Sequence, residues 1–405
     1  MRRLTDTAAG RFLSPAAREA LGYPAPGGWM PPLPPGVVRL SAGYPFPDSV
    51  PVADLEAATR SLLAEEGDLP LHYLGSRSMA ALPGLLAARM AGRGMPVQGE
   101  ELLVTSGACQ AIDLAARALL GPDDLVAVEA PTYMEALEIL RNYTSHAVSY
   151  PVDRQGLDVE AMAADLARRR AHGLPLPRVL YTVASFQNPT GTALTAERRR
   201  RLLELAADYD FLVLEDDAYG ELAFGSPPPT LKSLDRDGRV VYVGSLSKVV
   251  APGLRVGWLA GPGWLMKAAA LFKKDLDHPL GWAVTAQYLN AVDLDRRVAT
   301  LRQRYAERRD WLLAALERHM PDRVSWSRPE GGFFVWVTLP EGYDSQELLA
   351  PALACGVAYV PGRHFFLPSE AKAGARHLRL SFSYLPQGDL ERGVALLAGC
   401  LDSWG

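Results

Sequence analysis

Cysteine is scarce in this 405-residue chain: Cys109, Cys355 and Cys400 are an odd number at distant positions, with no C-x-x-C pair. That usage fits a reducing compartment better than a disulfide framework. The seven histidines form no H-x-x-x-H or similar grouping, which speaks against a structural or catalytic metal. Lysine is scarcer still for a chain this long. Of 42 basic residues only Lys232, Lys248, Lys267, Lys273, Lys274 and Lys372 are lysine, and 42 − 6 leaves 36 arginines. Only six side chains can therefore condense with a carbonyl. The arginines are dispersed and the net charge is −4, so nothing suggests a nucleic-acid or membrane surface. Long apolar runs are missing too. The start, Met1-Arg2-Arg3-Leu4-Thr5-Asp6, has no signal-peptide core behind it, and the uncharged stretch 21–38 has six prolines in eighteen residues. A cytoplasmic protein is expected.

What is present is ordinary for a globular protein: 48% hydrophobic, 22% charged, 36 glycines and 32 prolines. The length points to two packed units sharing a large core. Residues 21–37 look like an extended arm. From about 55 to 290, short apolar runs alternate with helical stretches. Leu102–Thr105, Leu125–Glu129, Val179–Val183, Phe211–Glu215, Val240–Gly244 and Val256–Ala260 read as buried strands. Helices are expected from about Gln110 to Leu120 and over Thr195–Tyr209, with Thr195 as N-cap. This is α/β texture: a mostly parallel sheet covered by helices. The run Arg198–Arg201 reads as a solvated face. Beyond 290 an Arg-rich helix from about Leu294 to His319 leads to apolar strands at Gly331–Val337 and Leu378–Phe382, the texture of a smaller α+β domain. The expected division is 1–54 as arm and part of the small domain, 55–290 as the large domain, and 291–405 as the small C-terminal domain.

Several strand ends carry chemistry. In Ser245-Leu246-Ser247-Lys248 a strand delivers one lysine beside two hydroxyls, and Arg255 follows seven residues later. An aldehyde cofactor needs such an amine to form an imine and later to shuttle protons. Ser245, Ser247 and Arg255 can hold a phosphate dianion; an exposed lysine in a polar loop is the plain alternative. In Glu215-Asp216-Asp217-Ala218-Tyr219, Asp216 suits a pyridine nitrogen and Tyr219 a ring oxygen, with Asp217 pointing elsewhere. A capping acidic cluster or a Mg²⁺ site also fits those residues. Asn188, in the turn Ser185–Gly191, can donate its amide to the same ring oxygen, unless the turn is only a turn. Thr105-Ser106-Gly107-Ala108-Cys109 opens a helix, offering free amides and a positive dipole end to phosphate. Cys109 has no local histidine and reads as a small packing residue rather than a nucleophile. Tyr133 can stack on a flat ring or sit in the core. Arg379 can clamp a carboxylate or lie on the surface. His72, Trp282, His364 and Phe365 are candidate pocket walls.

Together these segments resemble the aspartate-aminotransferase superfamily, fold type I of the pyridoxal-phosphate enzymes. They are most similar to class I/II aminotransferases of the 2-aminoadipate and aromatic type and to MocR effector domains. The resemblance runs from about Arg39 to Tyr384. It implies pyridoxal 5'-phosphate on Lys248, with Asp216 at the ring nitrogen, Tyr219 and Asn188 at the ring oxygen, and Tyr133 stacked. It gives the phosphate to the Ala108 and Cys109 amides, Ser245, Ser247 and Arg255, and makes Arg379 the α-carboxylate clamp, with Asn188 also toward substrate. Tyr73 is similar to the tyrosine that reaches the neighbouring subunit's phosphate, and Gly43 to the glycine near the substrate carboxylate. A homodimer with shared sites is implied, with no nucleic acid or membrane partner. Departures are Ala108-Cys109 for the usual Ser-Gln, Met79–Pro83 for Gly-x-x-x-Leu-Arg, and Ala184-Ser185 where proline is usual. The expected reaction is transfer of an α-amino group to a 2-keto acid. The alternatives are a lyase, decarboxylase or oxidative deaminase of the same fold and, more remotely, a non-catalytic sensor, which normally follows a winged-helix domain for which the resemblance leaves no room.

Overall fold

The computed structural model describes residues 12–13, 17–18, 21, 30–73, 75–274 and 277–403. Residues 22–29 of the expected arm lie outside them. After a short strand β1 (Val38–Arg39), eight strands form one sheet: β2 (Leu102–Thr105), β3 (Leu125–Ala130), β4 (Ala147–Asp153), β5 (Gly156–Leu157), β6 (Pro177–Thr182), β7 (Leu212–Asp216), β8 (Val240–Ser245) and β9 (Gly257–Ala260). Their order is β2-β9-β8-β7-β6-β3-β4-β5. The five central strands from β8 to β4 are mutually parallel, while β9 runs antiparallel to β8 and β2, and β5 to β4.

The alternation of side chains along each strand explains why these runs are apolar throughout. Val126, Val128, Val179, Tyr181 and Leu214 face one way, against the helix Ala108–Leu119. Ala127, Leu180 and Val213 face the other, against Met162 and Leu166 and against Leu202 and Leu205 of two further helices. Both faces are covered, so neither register can be polar. Each fully buried aliphatic side chain contributes about 2 kcal/mol. The Ala196–Tyr209 helix starts where its cap dictates: Thr195 accepts from the Arg198 amide. Asp293 does the same for the helix Leu294–His319.

A four-stranded antiparallel sheet follows, β10 (Ser325–Trp326), β11 (Phe334–Thr338), β13 (Val360–Pro361) and β14 (His377–Ser381), in the order β10-β11-β14-β13. Here β11 begins three residues later than expected. Gly331 and Gly332 lie against Phe186, where an added Cβ would come within 2.6 and 2.8 Å, and Gly332 has φ +70°. Those two positions form a close approach instead of a strand. Strand β1 pairs in parallel with β12 (Val357–Ala358), tying an early segment to a late one.

The arginine run corrects one expectation. Arg199 is fully buried, donating to the Leu194 and Ala184 carbonyls and the Ser185 hydroxyl, 3.6 Å from Glu215. Arg198 is also engaged, with Asp153. Only part of that run faces water. The sequence offered four adjacent arginines and no sign that the second lies under the helix, above the turn leading to Asn188.

Candidate active site

Parallel β6, β7 and β8 end on one edge of the sheet, so Asn188, Asp216 and Lys248 emerge together there. Antiparallel β9 starts on that same edge, which returns Arg255 to it. Arg255 takes a left-handed backbone (φ 52°) and lays its guanidinium over the start of the helix Ala108–Leu119, with Nη2 donating to the Ser106 carbonyl at 2.9 Å. Gly107, at φ +88°, caps that helix, and a Cβ there would meet Nη2 at 2.6 Å. The helix begins two residues earlier than expected, so Ala108 and Cys109 lie in its first turn with amides free of intrahelical partners. Ser245 donates to the Ser247 hydroxyl at 2.9 Å beside them. The group is a cradle for an anion.

Asp216 is buried. It accepts from the Tyr181 hydroxyl at 2.8 Å and the Ala218 amide at 3.2 Å. Burial raises its pKa to about 6, with those hydrogen bonds opposing the shift. The alternation that turns Asp216 toward Tyr181 turns its neighbours away. Glu215 receives the Leu231 and Lys232 amides, and Asp217 receives Arg93 and Tyr242 at 2.6 and 2.8 Å. Tyr181, on the adjacent strand, was not singled out from the sequence. Its signal was positional, because it faces the same side as Leu214 and hence Asp216.

A cleft of ≈ 300 Å³ above this edge is lined by Gly43, Tyr133, Asn188, Tyr219, Lys248 and Arg379, together with Arg39, Glu135 and Phe334. Larger clefts of ≈ 440 and ≈ 470 Å³ elsewhere have no lysine on their walls. Lys248 Nζ donates to the Gly43 carbonyl at 3.1 Å and lies 5.8 Å from the Tyr219 ring centroid. Burial, reinforced by the Arg379 charge, lowers its pKa to about 8. Burial raises the Tyr219 phenol, against the pull of Arg379. Arg379 is buried, not on the surface. It donates to Asn188 Oδ1 at 2.7 Å and to the Ser41 carbonyl at 3.2 Å, stacks 4.1 Å from the Phe334 ring centroid, and leaves a buried Nε without a partner among the described residues. With Oδ1 taken by Arg379, Asn188 presents its amide nitrogen to the cleft.

The turn that carries Asn188 is held from below by groups invisible in the sequence. Gln187 donates to Glu129 at 2.9 Å and to the Pro131 carbonyl at 2.7 Å, while Thr182 donates to Glu129 at 2.6 Å. Cys109 Sγ lies 3.9 Å from the Tyr133 hydroxyl, and burial raises its thiol pKa. That environment suits packing rather than a nucleophile. Of the other candidate walls only Phe365 is near, its ring 5.2 Å from the Arg379 guanidinium. His72 pairs with Asp68, His364 with Gln346, and Trp282 packs near Lys273. Tyr73 stands apart from the cleft of its own chain, 88% exposed. No helix of the described residues is long and apolar enough to cross a membrane.

Residues 35–397 match the family described as aminotransferase class I and II. The chain is 37% identical over 367 residues to aromatic-amino-acid aminotransferase 1 of Thermococcus litoralis, covering 89% of this chain and 87% of that one. Among solved structures it is similar to a kynurenine aminotransferase of Pyrococcus horikoshii (34% identity, TM-score 0.89, 99% of each chain). It is also similar to the α-aminoadipate aminotransferase LysN of Thermus thermophilus, complexed with N-(5'-phosphopyridoxyl)-L-leucine (32% identity, TM-score 0.84, 98% of this chain and 97% of that one).

Proposed function

This chain belongs to the class I and II aminotransferases, and we propose that Lys248 is the amine to which its cofactor attaches and the base of its amino-group transfer. The enzyme is a transferase that uses pyridoxal phosphate. The observation that carries the assignment of roles is convergence: the half-buried Lys248, the buried Asp216 carboxylate and an anion cradle meet on a single sheet edge. When bound, the cofactor supplies an aldehyde that captures a substrate amine and a ring that acidifies the Cα–H. The residues fit it. Gly107, whose Cβ would collide with Arg255, keeps the cradle open, and the Ala108 and Cys109 amides, Ser245, Ser247 and Arg255 would hold the phosphate. Asp216 would keep the ring nitrogen protonated, Tyr133 would cover the ring, and Tyr219 and the Asn188 amide would face its ring oxygen.

Arg379 binds the substrate carboxylate. Its buried, unpartnered Nε and its two fixed Nη bonds leave a preformed fork with capacity to spare, and Gly43 lines the same wall. Lys248, with its amine near 8, gives up its proton at neutral pH at modest cost and can then take one from the substrate Cα. Replacing Arg379 with leucine should lower kcat/KM for amino acid and keto acid alike by about 10- to 100-fold, the worth of hydrogen bonds to a charged group. An unchanged KM for both would remove Arg379 from this role.

The donor is an α-amino acid and the acceptor a 2-keto acid. Titrating the holoenzyme with a panel of amino acids, then analysing products with pyruvate or 2-oxoglutarate present, tests the function. Product formed without any keto acid would exclude transfer.

The protein acts as a cytoplasmic homodimer with Tyr73 reaching the partner's phosphate. The support is exposure: Leu69, Leu71 and Tyr73 sit together on the surface at 50, 60 and 88%, an apolar cluster that calls for a cover. Tyr73→Ala should weaken cofactor retention on dialysis about tenfold, one lost charge-assisted hydrogen bond. Light scattering should give twice the 43.9 kDa chain mass; a monomer with full activity would refute the shared site.

A further inference from the structure

Glu135 is the acidic side chain among the described residues lining the Lys248 cleft. It follows Tyr133 by two residues, in the first turn of the helix Met134–Leu140. Its Oε2 is buried and has no hydrogen-bond partner among the described residues. Buried carboxylate oxygens are normally bonded, and an unbonded one is costly. Asp216, Glu215 and Asp217 obey that rule on the same edge of the sheet, each held by two donors. Glu135 does not, although its charge reaches both Lys248 and Arg379. Those two cations are committed elsewhere, Lys248 to proton transfer and Arg379 to the α-carboxylate. Neither remains to neutralise Glu135 while substrate is bound. The other cation of the cleft, Arg39, is exposed on its rim, where water and salt screen it.

We propose that Glu135 selects the substrate side chain, accepting amino acids that end in an ammonium or another hydrogen-bond donor and excluding dicarboxylic ones. This rests on the aminotransferase reading of the site and deepens it. Amino donor and keto acceptor pass through one cleft, so the same carboxylate acts on both half-reactions. Monocarboxylic acceptors such as pyruvate are then preferred over 2-oxoglutarate.

The test uses holoenzyme and Glu135→Gln, which keeps the shape and removes the charge. Half-reaction kcat/KM is measured for ornithine, leucine and glutamate. Affinities for their α-methyl analogues, which have no Cα proton to lose, are read from cofactor absorbance without turnover. Wild-type enzyme should favour ornithine over glutamate. The variant should shrink that ratio by about ten- to thirtyfold, the worth of one partly screened charge inside the cleft, and the analogue affinities should shift in parallel while leucine changes by less than about threefold. An unchanged ratio overturns the proposal, as does a fall for leucine equal to that for ornithine, or a larger shift of the ratio in Arg39→Gln. Failure of wild-type enzyme to convert any of the three overturns this inference, whereas failure with the whole amino-acid panel has a different signature and defeats the aminotransferase roles as well.

Discussion

Lys248→Ala should lose amino-group transfer by about 10⁴- to 10⁶-fold, the scale on which removing the central member of a catalytic unit acts. The same substitution should abolish the visible absorbance of cofactor joined to protein. Of the six lysines in the chain, Lys248 alone lines the cleft. Among the described residues its amine's one hydrogen bond is to the Gly43 carbonyl at 3.1 Å, a neutral acceptor that does little to hold a proton. Burial and the Arg379 charge both favour the free amine. Removing it takes away the attachment point and the base together. Added methylamine should restore a measurable fraction of the rate, because the cavity left by the truncated side chain admits a small amine. Substantial activity without added amine would remove Lys248 from both roles.

Asp216→Asn should separate stability from activity. An aspartate whose pKa is raised to about 6 from its ordinary 3.8 binds its proton more tightly folded than unfolded. The cofactor-free chain therefore loses stability as pH climbs from about 4 to about 6, by about 3 kcal/mol. Asparagine has no charge to desolvate and can still accept from the Tyr181 hydroxyl. Above pH 6 the cofactor-free variant should melt several degrees higher than wild type, and below pH 4 the two should converge. Lys248 adds the opposite edge. Its pKa is lowered from 10.5 to about 8, so its penalty is present below 8 and fades as pH rises toward 10.5. Comparison between pH 6 and 8 isolates the aspartate. Activity should move the other way, falling about 10²- to 10⁴-fold, because the ring nitrogen loses the charge that holds its proton. A variant destabilised at pH 7 would show that the carboxylate contributes to folding, against the sense of its pKa shift.

The strand ends were legible in the sequence because a buried parallel strand is an unbroken apolar run, and the residue after it must emerge at the sheet edge. Lys248, Asp216 and Asn188 were readable on that basis, as was the turning away of Asp217. Boundaries moved where backbone geometry intervened, at Gly107, which starts its helix early, and at Gly331-Gly332, which start theirs late. The supporting groups were not legible. Tyr181, Glu129 and Arg199 matter through contacts across strands or between helix and loop, and a buried arginine inside an Arg-rich helix has the same local pattern as an exposed one. Glu135 was hidden differently: one acid in a helical turn signals nothing until its neighbours are known.

The segment from Val38 to Tyr44 has a consequence for how the cleft can move. It hangs from the later part of the chain through β1 and β12, and its Leu40, Ala42 and Tyr44 carbonyls accept from Ser381 and Ser383. Between those anchors it lends the Ser41 and Gly43 carbonyls to Arg379 and Lys248. The two cations are thus moored to one rope. A displacement carrying β12 and β14 together would take Arg379, itself on β14, along with the rope, so the line would pay out at the Lys248 mooring alone, freeing the amine while the grip on the acid travels intact.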